Sequence, residues 1–155
     1  MKRVTGIGGL FFKSKDPAAL KRWYTEHLGI GHDKYGSVFT WRDAIEPHEE
    51  RLTVWSPFRD DTTYFGPSAK DFMFNYRVED LKGLLELLKQ EGVTVVGEVE
   101  EYEYGRFGWI MDPEGNKIEL WEPVDGPLLE NWRKRDGGES ADSGGGGQYP
   151  PVGQS

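Results

Sequence analysis

The chain repeats itself. Phe11-Phe12-Lys13-Ser14-Lys15-Asp16 leads into a helical pattern that stops at Leu28-Gly29-Ile30, and Tyr76-Arg77-Val78-Glu79-Asp80 leads into a second that stops at Glu91-Gly92-Val93. Asp16 + 64 is Asp80 and Leu20 + 64 is Leu84, whereas Leu28-Gly29 meets Glu91-Gly92 at an offset of 63. A period of this length implies one supersecondary unit used twice, with a site expected between the copies.

Each copy has the same order of signals. Val4 to Lys13 is apolar and aromatic and reads as a strand, and Gly6, Gly8 and Gly9 inside it imply that something packs close against this backbone. Asp16-Pro17 is a helix start, with aspartate as cap and proline at the first helical position; Leu20, Trp23, Tyr24, His27 and Leu28 form its apolar stripe, and Gly29 ends it. Strands are expected at 37–41 and 51–55. In the second copy, 72–78 is a strand and Asp80 caps a helix with the stripe Leu81, Leu84, Leu85 and Leu88. Strands at 93–96, 106–111 and 117–122 follow, the last two joined by the tight turn Asp112-Pro113-Glu114-Gly115-Asn116. Three strands are placed in the first copy and four in the second, and each half is read as β-α-β-β-β, an α+β domain with mostly antiparallel sheet. Residues 1–135 form one domain of two modules, about 4–62 and 70–123. The remainder, 136–155, is rich in Gly, Ser and Pro and is expected to be a disordered tail, too poor in apolar surface to offset its ordering entropy.

Charge and composition exclude several classes. The net charge is −8, of which Asp136, Glu139 and Asp142 contribute −3, leaving −8 − (−3) = −5 on the folded part. An acidic excess argues against a nucleic-acid partner. The absence of cysteine removes disulfides, thiolate metal sites and a cysteine nucleophile. No signal-peptide pattern and no apolar run of membrane-spanning length is present, so a cytoplasmic protein with no membrane partner is expected.

The combination of Tyr104-Gly105-Arg106, Asp112 to Trp121 and the helix from Asp16 to Gly29 resembles the vicinal oxygen chelate superfamily, which includes glyoxalase I, bleomycin-resistance proteins and extradiol dioxygenases. The resemblance covers residues 4–123. It implies two βαβββ modules forming a curled mixed sheet around a cup, usually completed as a homodimer. It also implies, in catalytic members, a divalent metal held by side chains on the first and last strand of each module. Glu119 matches the last-strand carboxylate of the second module, and subtracting 64 gives Trp55; the first-strand positions are Gly9 and Met73. One carboxylate among four positions cannot hold a catalytic divalent ion. No cofactor is therefore expected.

The candidate site is accordingly Glu119 as the one catalytic candidate, with Trp55, Met73, Asn75, Tyr104, Arg106 and Trp109 as further ligand contacts and Phe39 and Trp41 at the margin. Glu119 reads either as a general base or cation partner, or as an exposed carboxylate or one paired with Arg77 or Arg106. Arg106 reads either as a bidentate clamp for a ligand carboxylate or as a salt bridge at a strand end. His27 suits a helix C-terminus, His32 lies in the following loop, and His48 among Glu46, Glu49 and Glu50 lacks metal-ligand spacing. The preferred function is a dimeric protein binding a small, partly apolar molecule in an aromatic cup without the superfamily's metal. The alternative is a lyase, isomerase or dioxygenase-like enzyme using Glu119 as general base or a rearranged metal site. A structural or partner-binding domain, its cup packed solid, is a third.

Overall fold

The computed structural model describes residues 2–34 and 36–136. The expected tail falls outside them except for Asp136. Ten elements follow in order: β1 (Val4–Ser14), α1 (Pro17–Leu28), β2 (Ser37–Arg42), β3 (Glu50–Arg59), β4 (Phe72–Val78), α2 (Leu81–Gln90), β5 (Val95–Tyr102), β6 (Gly105–Met111), β7 (Lys117–Pro123) and α3 (Asp125–Asp136). The capping chemistry acts as the sequence implies. Asp16 Oδ1 accepts from Ala19 N at 3.0 Å and Asp80 Oδ1 from Gly83 N at 3.1 Å. Gly29 ends α1 in the left-handed region at φ 71°, where a Cβ would be strained.

The strands form one curled open sheet in the order β2-β3-β1-β4-β7-β6-β5. β1 pairs with β3 and β4 with β7 in parallel; the other neighbours, including the central β1–β4 pair, are antiparallel. The module repeat is visible in the register. Gly9 faces Asn75 and Phe11 faces Met73 across β1–β4, and these pairs exchange under the offset, since 9 + 64 is 73 and 11 + 64 is 75.

The first module carries three strands and the second four. The counterpart of β5 in module one would lie at 95 − 64 = 31 to 102 − 64 = 38, where the described residues show only an isolated Asp33–Gly36 bridge before β2. Gly29, Gly31, Asp33 and Lys34 are poor strand formers. The segment is held instead by Lys21, buried on α1, whose Nζ donates to the carbonyls of Asp33 (3.2 Å) and Lys34 (3.1 Å). Burying this lysine turns α1 from the expected stripe, and Trp23 and Leu28 are exposed.

Two apolar clusters sandwich the sheet. On the outer face α2 packs Leu81, Leu84 and Leu85 against Val78 and Leu120. The concave face carries Phe11, Val54, Phe58, Phe65, Met73, Phe107, Trp109 and Trp121, joined by Leu129 from α3. The glycines of β1 have the role their clustering implied: a Cβ on Gly8 would stand 2.1 Å from Asn75 Oδ1, and one on Gly6 2.8 Å from the Trp41 ring.

Candidate functional site

Strand register lays Gly9, Asn75, Glu119 and Trp109 side by side across β1, β4, β7 and β6. The side chains of Asn75, Glu119 and Trp109 share the concave face. Glu119 is fully buried. Its Oε1 accepts from Asn75 Nδ2 at 2.7 Å, and its Oε2 accepts from Trp109 Nε1 at 2.9 Å and from the Tyr64 hydroxyl. Three donors on one carboxylate are what a buried glutamate needs to remain tolerable. Burial nevertheless outweighs them: loss of hydration pushes the Glu119 carboxyl above its ordinary range, against the lowering effect of Tyr64, Asn75, Trp109 and the Lys117 charge. The same burial, reinforced by the neighbouring Glu119 charge, raises the Tyr64 phenol far above its usual value.

Lys117 shares the concave face with Glu119 by strand alternation. Its Nζ donates to the Tyr64 carbonyl at 2.7 Å and lies 5.1 Å from the Tyr64 ring centroid and 5.7 Å from that of Trp109. Burial lowers its pKa, opposed by Glu119 and Glu100. Beside this cluster lies a cleft of about 280 Å³, lined by Tyr64, Trp109, Lys117, Val96, Glu98 and Glu100, among others. The concave face is thus filled with side chains at its centre and opens into a cleft at this flank. Glu119 lies behind Tyr64 and Trp109, out of the cleft's lining.

Of the residues proposed from sequence, Asn75, Trp109 and Glu119 come together, and Met73 lies two positions along β4, buried in the same apolar cluster. Tyr104 belongs to that cluster at the far end of β6, where its carbonyl accepts from Trp121 Nε1 at 2.9 Å. Trp55 is not brought to Glu119. It packs in the helix layer, 4.8 Å from Tyr24 and 5.3 Å from Phe12 between ring centroids. The reason is a one-residue slip in the repeat. Phe11 faces Ser56 as Asn75 faces Glu119, so the counterpart of Glu119 is Ser56, at 119 − 56 = 63, and Trp55 answers to Ile118. A slip of one residue transfers a strand side chain to the opposite face. Arg106 is not brought there either: half-exposed on the helix side, it lies 3.5 Å from Glu101 and 3.7 Å from Glu122. Phe39 is exposed on the edge strand, and Trp41 stacks near Arg77 rather than Glu119. Arg77, the other partner considered for Glu119, binds Asp125. Trp55→Leu is expected to cost about 1–2 kcal/mol in urea denaturation, with the Trp109 indole proton resonance unmoved. Movement of that resonance would return Trp55 to the site.

Sequence reasoning missed Tyr64, the cleft-lining place of Lys117 and the helix α3. The aromatic pair Tyr64-Phe65 directly after the polar run Asp60-Asp61-Thr62-Thr63 was the available signal for a loop residue of interest.

The sequence pattern of the Glyoxalase/Bleomycin resistance protein/Dioxygenase superfamily matches residues 7–120. The chain belongs to this superfamily. Among solved structures with the superfamily's fold, it is similar to a Streptomyces coelicolor methylmalonyl-CoA epimerase in complex with 2-nitronate-propionyl-CoA (13% identity, TM-score 0.58, covering 78% of this chain and 99% of that one). It is also similar to a methylmalonyl-CoA epimerase from Mycobacterium tuberculosis (20% identity, TM-score 0.51, 84% and 95% covered). A third is the Mn(II)-bound glyoxalase from Novosphingobium aromaticivorans (20% identity, TM-score 0.54), of which the chain spans 40% while 80% of this chain is covered. No curated protein sequence matches. At these identities the likeness establishes the fold.

The superfamily often uses a divalent metal, and the donors here do not fit one. Register puts Ser56, Phe11 or Gly9, Met73 or Asn75, and Glu119 around the central joint, which supplies one carboxylate and no imidazole. Both oxygens of that carboxylate already face hydrogen-bearing groups. Among the described residues no group of three or more His, Cys, Asp or Glu is placed to hold a metal ion. A catalytic zinc needs about three protein ligands and octahedral ions several oxygen donors.

Proposed function

We propose that the protein is a metal-free small-molecule-binding member of its superfamily, which takes a small, partly apolar ligand in the cleft against Tyr64, Trp109 and Lys117. The observation that carries this reading is the engagement of both Glu119 oxygens by Tyr64, Trp109 and Asn75. The carboxylate serves as a fixed anchor for two aromatic side chains that wall the cleft. Tyr64 and Trp109 offer apolar faces, Lys117 a cation and Glu98 and Glu100 an acidic rim, so the cleft sets two aromatic walls against a strongly polar edge. A volume of about 280 Å³ suits a ligand of a dozen or so heavy atoms. The proposal includes the homodimer that superfamily membership suggests; light scattering that reads a single chain's mass would remove that part.

A fragment screen read by the tryptophan indole signals of the ¹⁵N-labelled protein tests the binding claim. Hits are expected to move Trp109, and Lys117→Met is expected to weaken acidic hits about tenfold, the loss of one charge-assisted contact. Hits that leave Trp109 unmoved would contradict it.

A second reading, Glu119 as general base, is favoured by its burial and raised pKa. It requires the base to reach a substrate past Tyr64. Proton exchange on a carbonyl-containing hit that is lost in Glu119→Gln while binding persists would support it over simple binding.

A further inference from the structure

A second polar centre lies at the other end of the concave face, unused by the cleft at Tyr64. Arg77 is 1% exposed. Its guanidinium carbon is 5.7 Å from the Trp41 ring centroid and 5.2 Å from that of Trp121. Nη1 donates to the Leu52 carbonyl at 3.1 Å, and Nη1 and Nη2 donate to the two oxygens of Asp125 at 2.9 and 2.6 Å. A planar fork beside two indoles and aimed at one carboxylate is the arrangement by which arginine recognises carboxylates bidentately. Arg77 and Trp41 pack directly onto the glycine backbone of β1: a Cβ on Gly8 would meet Arg77 Cγ at 3.1 Å and one on Gly6 would meet Trp41 at 2.8 Å.

The carboxylate on this fork comes from outside the shared scaffold. The superfamily match ends at residue 120, and Asp125 opens α3. The same helix inserts Leu129 into the concave cluster and lays Leu128 against it. α3 therefore presents a carboxylate followed by an apolar group, the chemical outline of a small apolar acid. The helix is twelve residues long, a length that is marginal by itself in water. Beyond the Arg77 pair and the two leucines, it is tied by Arg133 to Glu50. Gly126, next to Asp125, has nothing within 4 Å of where a Cβ would be. A crevice of about 210 Å³ opens beside the pair, lined by the cations Lys2, Arg51 and Arg77 and by the carboxylates Asp43, Glu46, Glu79 and Asp125.

We propose that Arg77 anchors a binding site for small carboxylates with apolar bodies, and that Asp125 and Leu129 of α3 occupy it as a built-in competitor. A free acid then binds with an apparent affinity reduced by the fraction of molecules in which α3 is docked; if that fraction is about nine-tenths, releasing it gains about tenfold.

The test uses the full chain with phenylacetate as probe and phenylacetamide as its neutral match, followed by the indole signals of Trp41, Trp121 and Trp109. In Asp125→Asn, phenylacetate is expected to bind about tenfold more tightly than to the wild type, to move Trp41 and Trp121 before Trp109, and to be preferred over the amide. Equal affinity in variant and wild type, or equal response to acid and amide, would overturn the proposal. Should Asp125→Asn fail to fold, hydrogen exchange of α3 amides in the wild type decides: loss of protection as phenylacetate is added supports displacement, and unchanged protection across the titration overturns it. Binding that moves Trp109 alone would leave the cleft at Tyr64 standing and remove this site.

Discussion

Glu119→Leu is expected to lower the stability of the fold by about 3–5 kcal/mol, a fall in melting temperature of roughly 10 °C for a chain this size. The substitution matches the carbon volume and removes the acceptor shared by three donors, the buried Asn75 Nδ2 and Trp109 Nε1 and the part-buried Tyr64 hydroxyl. Each donor left unpaired costs about 1–3 kcal/mol, reduced where it finds water at the cleft. Glu119→Gln keeps one accepting oxygen and turns an amide donor toward another donor, so a smaller loss of about 1–3 kcal/mol is expected. The pH dependence separates the two effects. The folded chain holds the Glu119 proton more tightly than the unfolded chain, so this group's stabilising contribution is fully present below the unfolded pKa and is lost as pH rises through the raised folded value. The stability of wild type minus that of Glu119→Gln should therefore fall as pH rises above the ordinary glutamate range and then level. A difference that stays flat across that window would mean Glu119 is hydrated and the site open.

Gly8→Ala is expected to cost about 2–4 kcal/mol, the sum of overpacking and one broken buried hydrogen bond. The added methyl would stand 2.1 Å from Asn75 Oδ1, 3.0 Å from the Trp121 ring and 3.1 Å from Arg77 Cγ. Trp121 and Arg77 are themselves locked, by the Tyr104 carbonyl and by Asp125, so Asn75 is the side chain that must move. Its amide then leaves Glu119, and the Trp109 indole signal is expected to shift although Gly8 does not touch Trp109. Chemical denaturation and one indole spectrum check both parts. A variant as stable as wild type would show that β1 and β4 can separate at the bulge between Ile7 and Gly9.

Much of the scaffold was legible because its signals are local. Asp16 and Asp80 cap helices through their own side chains, and the three glycines of β1 announced the close approach of Trp41, Asn75 and Phe11. The site was legible only where the repeat arithmetic held. An offset of 64 is right for β1 and β4 and wrong by one for β3 and β7, which separates Ser56 from Trp55. The slack between Leu28-Gly29 and Glu91-Gly92 was an early trace of that slip. Tyr64 was out of reach because it sits on a loop between modules, and nothing in Thr62-Thr63-Tyr64-Phe65 says which carboxylate it covers. Helix α3 was hidden by Gly126 and Pro127, which punctuate loops more often than they begin helices. Lys21 counts among polar positions by pattern, yet it is buried because two loop carbonyls converge on it.

The claim at the centre is that Glu119 serves hydrogen bonds rather than a metal. Calorimetric titration of the metal-stripped full chain with Mn²⁺, Ni²⁺ and Zn²⁺, run beside Glu119→Gln, tests it most directly. The expected result is no stoichiometric binding that differs between the two proteins, with the Trp109 indole signal unchanged throughout. One equivalent of metal bound by the wild type and lost in Glu119→Gln would contradict it.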